Sequence, residues 1–309
     1  MQQIQYYLTQ HPTILNFRWS PTQTWFSTWS FLIPTLTAYT LVSLFLHHTL
    51  SLLLPNRHRF RLPMGPIPSL HTLLISTSSA LIFTGTLLSA IAEIQDNSRW
   101  LWRQSHLRTT PLRWLLCFPP GTRPSGRVFF WSYAFYLSRL FIHLPRTFIK
   151  ILRRRSVSVF HVMNQSCVLL MSYIWLEFCQ SFQVLGILML TLLYAVVYGY
   201  KFWVGVGLSR ANFPLVVNCQ VVLLTCNLVC HAGVILLHYF NVNKGGCNGI
   251  WAWGFNSVCN CVILMMFFKD YRKRIAKGLI DDDDPSSHYC SANDKASSGD
   301  TGFRHNSPK

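Results

Sequence analysis

Ser156 to Gln180 reads SVSVFHVMNQSCVLLMSYIWLEFCQ. Crossing the hydrocarbon of a bilayer takes roughly 20 mostly apolar residues, and this run supplies them. Near its start stand His161, Asn164 and Gln165, at i, i+3 and i+4, so a helix places all three on one face. Hydrogen-bonding groups on one face of a membrane helix are costly unless they meet partners or line a polar interior, which makes them candidate functional residues. The fold therefore turns on what this face looks at.

The rest of the chain is built from similar material. Half of its 309 residues are hydrophobic and 12% are charged, and mean hydropathy is positive. A formal net charge of +17 suits nucleic acid only when Lys and Arg cover a polar surface. Here they cluster between apolar blocks, as juxtamembrane anchors do, so no nucleic-acid partner is expected. Between Asn97 and Lys269 the only carboxylate is Glu177. That excludes paired-carboxylate acid–base chemistry and carboxylate-bridged metal pairs within the apolar body. No paired CxxC motifs occur among the ten cysteines. The consecutive Asp281 to Asp284 lack the spaced loop of a calcium site, so no metal is expected.

Seven apolar blocks follow one another: Trp25 to Leu54, Pro68 to Ala92, Val128 to Leu152, the opening stretch, Ser181 to Gly207, Phe213 to Phe240, and Gly249 to Phe268. They predict an all-α, polytopic membrane protein with about seven transmembrane helices. Residues 1–24 form a short amphipathic lead without the features of a cleavable signal peptide. Residues 25–268 form the membrane domain, and residues 269–309 a basic, then acidic and Ser-rich, disordered tail. The second block is rich in Ser, Thr and Ala, which suits close helix packing in lipid. Glu93 and Asp96 are expected in the loop after it. The third block is interrupted by Arg139, His143, Pro145 and Arg146, so it is either kinked or lines a polar interior. Gln220, Asn227 and His231 share a face of the sixth block, and Asn256 and Asn260 a face of the seventh.

Loop charge sets the orientation. A cytosolic C-terminus puts Arg57/Arg59/Arg61, Arg153 to Arg155, Lys201/Arg210 and the basic run after Phe268 on one side. The arginine-rich Glu93 to Arg127 loop opposes that arrangement, three loops to one. The same topology places Cys117 and Cys247 together on the lumenal side, where an oxidising compartment allows a disulfide. Two free thiols are the alternative.

Five segments, in order along the chain, carry a resemblance: PSGRVFFWSYAFYLSR (Pro124 to Arg139), FHV (Phe160 to Val162), VYGY (Val197 to Tyr200), NCQVV (Asn218 to Val222) and GCNGIWAWGFNSVCN (Gly246 to Asn260). Together they resemble the ELO family in its plant-type form. The resemblance implies a seven-span, multi-pass protein of the endoplasmic reticulum membrane whose helices enclose an acyl-binding cavity. It also implies a 3-oxoacyl-CoA synthase, an acyltransferase that condenses acyl-CoA with malonyl-CoA, releases carbon dioxide and needs no further cofactor. Implied partners are membrane lipid and the ketoreductase, dehydratase and enoyl reductase of very-long-chain fatty acid elongation.

The family's HxxHH box falls on His161-Val162-Met163-Asn164-Gln165, and the histidine of its next helix falls on Tyr194. Its KxxExxDT element becomes Arg139, His143, Arg146 and Thr147 with one extra residue, so both carboxylates are replaced. MYxYY reads Val197 to Lys201, and TxxQ ends at Gln220. The resemblance thus implies a catalytic site at His161, Asn164 and Gln165, with Arg139, Tyr198, Tyr200, Lys201 and Gln220 toward substrate. Imidazole is nucleophilic at neutral pH, whereas the Asn164 and Gln165 amides only donate and accept hydrogen bonds, as at a thioester oxyanion. Three roles stay open: a condensing enzyme, a non-catalytic acyl-CoA-binding or scaffolding relative, and, more distantly, a seven-span transporter or receptor.

Overall fold

The computed structural model describes residues 2–53, 65–101, 111–153, 159–207, 213–240 and 245–276. The Arg57/Arg59/Arg61 loop, Arg154, Arg155, Arg210 and the acidic tail with Asp281 to Asp284 lie outside the described residues. Among those described, the secondary structure is helical. In order the helices are α1 (Gln2–Thr9), α2 (Pro12–Leu15), α3 (Trp29–Leu53), α4 (Ile67–Leu101), α5 (Pro111–Leu116), α6 (Arg127–Ser138), α7 (Leu144–Leu152), α8 (Val159–Glu177), α9 (Gln183–Gly205), α10 (Phe213–Phe240) and α11 (Ile250–Ala276). A π-helical turn, Arg139–His143, joins α6 to α7. The chain divides into two units, Met1–Asn260 and Cys261–Lys309. The described part of the second is the C-terminal stretch of α11, which carries the basic residues of the tail.

Each apolar block lies on helix. By length and composition, three segments among the described residues suffice to cross a membrane: Trp29–Leu50, Ile67–Asp96 and Gln183–Gly205. Thr225–Phe240 and Ile250–Ile263 are shorter apolar helices. The third block falls short because α6 and α7 are short helices on either side of a turn that carries charge. Glu93 and Asp96 are not in a loop, because α4 continues past both. They sit three residues apart on one helical face, where Arg127 Nε lies 3.2 Å from Glu93 Oε2 and Arg127 Nη2 lies 2.7 Å from Asp96 Oδ2. Two carboxylates near a helix C-terminus oppose the helix dipole, and the guanidinium offsets that cost.

The most extensive helix pair is α4 against α9. Its chemistry is that of small residues in lipid, where close backbone approach replaces hydrophobic driving force. A Cβ on Gly199 would stand 3.1 Å from Ser76 Oγ, and one on Gly205 would stand 3.3 Å from Ser69 Oγ. Ser76 also donates across the interface to the Ala195 carbonyl at 2.9 Å. On the opposite side α3 is tied to α7 through a buried 2.7 Å hydrogen bond between Tyr39 and Thr147.

The N-terminal lead is part of the packed body. Trp19 is buried among Tyr133, Tyr136 and Tyr173. Its indole N–H donates to Glu177 Oε2 at 2.9 Å, which occupies the carboxylate at the end of α8. Backbone bonds from Trp19 N–H to the Pro124 carbonyl and from Gly126 N–H to the Phe17 carbonyl, both 2.9 Å, lay the lead beside the entry to α6.

Cys117 and Cys247 are joined by a disulfide with their Cα atoms 5.0 Å apart. Around it three loops meet. Asn248 N–H donates to the Phe118 carbonyl at 2.9 Å, Phe118 N–H to Ser181 Oγ at 3.0 Å, and Ser181 Oγ to the Asn248 carbonyl at 2.7 Å. Gly249 has φ +64, and a Cβ there would stand 2.8 Å from Gln180 Cα, so both conformation and space require glycine. The disulfide thus ties the α5–α6 loop to the α10–α11 loop, and the bonds of Ser181 and Asn248 join the α8–α9 turn to both. Thiol labelling of the denatured protein tests this. All but two of the ten cysteines are expected to react before reduction and all ten after it, and Cys117→Ser is expected to remove that difference.

Candidate functional site

The site is built where the third block breaks. Pro145 has no N–H to donate, and its ring crowds the carbonyl four residues back, at Phe141. The chain answers with a π turn just before it, in which Leu144 N–H reaches the Arg139 carbonyl. Such a turn takes up one extra residue without ending the helix. This is the structural counterpart of the extra residue between Arg139 and His143. Arg139, His143, Arg146 and Thr147 all end up buried.

Three of these side chains would carry or accept charge, and among the described residues no ion pair to a carboxylate is seen for Arg139 or His143. Glu93, Asp96 and Glu177 are the only acidic residues before Asn260, and they are engaged by Arg127 and Trp19. Aromatic faces from α9 take their place. The Arg139 guanidinium lies 4.1 Å from the Tyr194 ring centre and 4.6 Å from that of Phe135. The Arg146 guanidinium lies 4.0 Å from the Tyr198 ring. Tyr194 and Tyr198 stack on one another one helical turn apart, and His143 packs against both. Desolvated cation–π contacts of this kind contribute up to about 2 kcal/mol each. Arg139 Nη1 lies 3.1 Å from His143 Nδ1. Arginine has only donors, so Nδ1 accepts and the imidazole proton sits on Nε2. His71 of α4 closes the group, lying beside the backbone of Ile142 in the π turn.

Helix α8 brings its polar face to the same place. Gln165 is 5% exposed and Val162 is buried with it, whereas Met163 points outward at 43% exposure. His161 is half-buried, and its Nε2 has no hydrogen-bond partner among the described residues. Lys150, Arg146 and Lys201 stand close enough to act on it electrostatically. Asn164 is half-buried on the next turn. Lys201 is exposed at the same end of α9, with Nζ 5.5 Å from the Tyr198 ring. Tyr200 is half-buried beside it.

The structure thus brings together His161, Arg139, Tyr198 and Lys201 from the residues expected in the sequence, and adds His143, Arg146, Tyr194 and His71. Position in the broken third block marks the first two additions. Nothing in the pattern around His71 separates it from an ordinary helical histidine. Gln220 lies on α10, and its side chain is outside the described residues. His231 takes another role: it packs between Phe182 and Trp253, with Nδ1 3.1 Å from Ser257 Oγ. Cys117 and Cys247 stand at the opposite end of α9 from Lys201. Among the described residues no cluster of His, Cys, Asp or Glu has the makings of a metal site.

A helical membrane body with a buried, carboxylate-free group of cations and aromatics defines the class of protein. Residues 24–278 match the ELO, or GNS1/SUR4, family model, and the chain belongs to that family. It is similar to a fatty acid elongase 3-like protein of Arabidopsis thaliana, 55% identical over 269 residues, which are 87% of this chain and 90% of that protein. No solved structure matches it.

The aromatic faces should matter for stability as faces, not as hydroxyls. Tyr198→Leu is expected to lower unfolding free energy by about 0.5–2 kcal/mol through loss of the Arg146 contact. Tyr198→Phe should stay close to wild type. Thermal melts in detergent micelles read the difference.

Proposed function

We propose that the chain is a seven-span condensing component of very-long-chain fatty acid elongation, joining acyl-CoA to malonyl-CoA with release of carbon dioxide to give 3-ketoacyl-CoA. One observation carries this reading: His161 stands near Arg146 and Lys201, and Arg139, Arg146 and Tyr198 gather beside it, in a chain of the ELO family similar to a fatty acid elongase. The acyl tail lies in an apolar cavity between the helices. The CoA end faces the cytosol, where Lys150, Arg153 and Lys201 offer charge to its phosphates. The protein sits in the endoplasmic reticulum membrane with its C-terminus cytosolic, beside the ketoreductase, dehydratase and enoyl reductase that consume its product.

In the covalent route His161 attacks the thioester carbon, the CoA thiolate leaves and takes up a proton, and an acyl-imidazole forms. The malonyl unit loses carbon dioxide, its electron pair stays on the α-carbon, and that carbon displaces the imidazole. In the direct route the same carbanion attacks the thioester carbon of the bound acyl-CoA, the Asn164 and Gln165 amides hold the developing oxyanion, and the C–S bond breaks as the CoA thiolate leaves and takes up a proton. A second reading is favoured by the replacement of two box histidines by those amides: an acyl-CoA-binding or scaffolding subunit of the elongation machinery with no turnover of its own.

Purified protein supplied with long-chain acyl-CoA and radiolabelled malonyl-CoA separates these. The expected outcome is labelled 3-ketoacyl product, reduced about 100-fold or more in His161→Ala. Unchanged product in that variant removes His161 from the chemistry. Binding of acyl-CoA without product identifies the scaffold.

A further inference from the structure

Arg139 is only partly accounted for by its surroundings. The residue is 1% exposed, its Nη1 meets His143, and its Cζ lies 4.1 Å from the Tyr194 ring centre and 4.6 Å from that of Phe135. Nε and Nη2 have no hydrogen-bond partner among the described residues. These two nitrogens form the edge of a guanidinium along which two N–H bonds run parallel. That edge takes a carboxylate or phosphate as a bidentate pair. A buried donor pair left unmatched is costly, so a sequence retains it where a ligand supplies the acceptors. No carboxylate of the first unit meets this edge among the described residues, since its three carboxylates are engaged by Arg127 and Trp19.

We propose that the Nε–Nη2 edge of Arg139 holds the free carboxylate of the malonyl unit and so selects a carboxylated thioester over an ordinary acyl-CoA. The proposal rests on the elongation reading and names the residue that recognises its second substrate. Geometry favours a carboxylate over a phosphate. Two aromatic rings crowd the guanidinium at 4.1 and 4.6 Å, which favours a ligand that approaches its free edge in the guanidinium plane. A carboxylate is flat, whereas a phosphate carries oxygens above and below that plane. The position also fits, because the malonyl carboxylate is at the tip of the CoA arm and its phosphates are at the far end. Arg146, on the next turns of the same face, adds positive potential.

The hold acts on the bound substrate. When the bond between the malonyl α-carbon and the carboxylate breaks, the electron pair stays on carbon and carbon dioxide leaves uncharged. The fork loses its ligand in that step. Its contribution therefore appears in the affinity for malonyl-CoA and not in the rate of the condensation that follows.

The test compares malonyl-CoA with acetyl-CoA, which carries the same phosphates and thioester but no carboxylate, by titration calorimetry on the purified full-length protein. Wild type is expected to prefer malonyl-CoA by about tenfold or more, the worth of a charge-assisted bidentate contact. Arg139→Gln should bring malonyl-CoA down to the acetyl-CoA level and leave acetyl-CoA unchanged, and Arg139→Lys should recover part of the difference. Equal binding of the two thioesters by wild type overturns the proposal without any variant. An equal loss of both in Arg139→Gln, with the protein still folded by its melting curve, assigns the residue to the phosphates and also overturns it. If wild type binds neither thioester, the elongation reading fails, and this inference with it.

Discussion

Two buried guanidiniums in an apolar body, packed against aromatic rings, constrain everything around them. An ion pair is the usual answer to buried charge, and removing one partner of such a pair costs several kcal/mol. Here the carboxylates of the family's element are replaced by His143 and Arg146. The compensation comes from the flat faces of Phe135, Tyr194 and Tyr198, which accept positive charge through their quadrupoles without adding a negative charge of their own. The interior therefore stays net positive. That is the electrostatic condition for drawing in an anionic substrate rather than a neutral one.

Holding that arrangement takes support at both ends. The π turn ahead of Pro145 sets the phase of Arg139 relative to Arg146. The Tyr39–Thr147 hydrogen bond fixes α7 against α3. Small residues let α4 approach α9 closely, so the helix bearing Tyr194 and Tyr198 has little freedom to rotate. At the other end the disulfide and the bonds around Asn248 tie the α8–α9 turn to the neighbouring loops. Trp19 ties the end of α8 to the N-terminal lead. The polar face of α8 is thus presented by a helix anchored away from the chemistry.

Much of this is legible in the sequence, for definable reasons. Apolar runs locate helices because the bilayer demands them, and the sixth block coincides with α10. The interruption at Arg139, His143, Pro145 and Arg146 announces a kink, since proline removes a backbone donor wherever it falls. The spacing of His161, Asn164 and Gln165 places them on one face because helical periodicity is local. What could not be read depends on other parts of the chain. Glu93 and Asp96 look like loop residues until Arg127 arrives from 31 residues away to neutralise them. The pairing of Arg139 with Tyr194, and the approach of His71 to Ile142, are tertiary facts with no periodic trace. Tyr194 is the instructive case: it stands where the family resemblance expects a histidine and instead supplies the face that covers a cation.

On the proposed reading, the inner faces of α7, α8 and α9 enclose the reacting end of a CoA thioester. A structure of the protein bound to a non-hydrolysable long-chain acyl-CoA analogue tests it most directly. The thioester carbonyl is expected beside His161, within about 3–3.5 Å of Nε2 for direct attack by that atom, with the acyl chain running between the helices. An acyl chain lying along the outward face of α8 near Met163, with His161 and Gln165 packed shut, would contradict it.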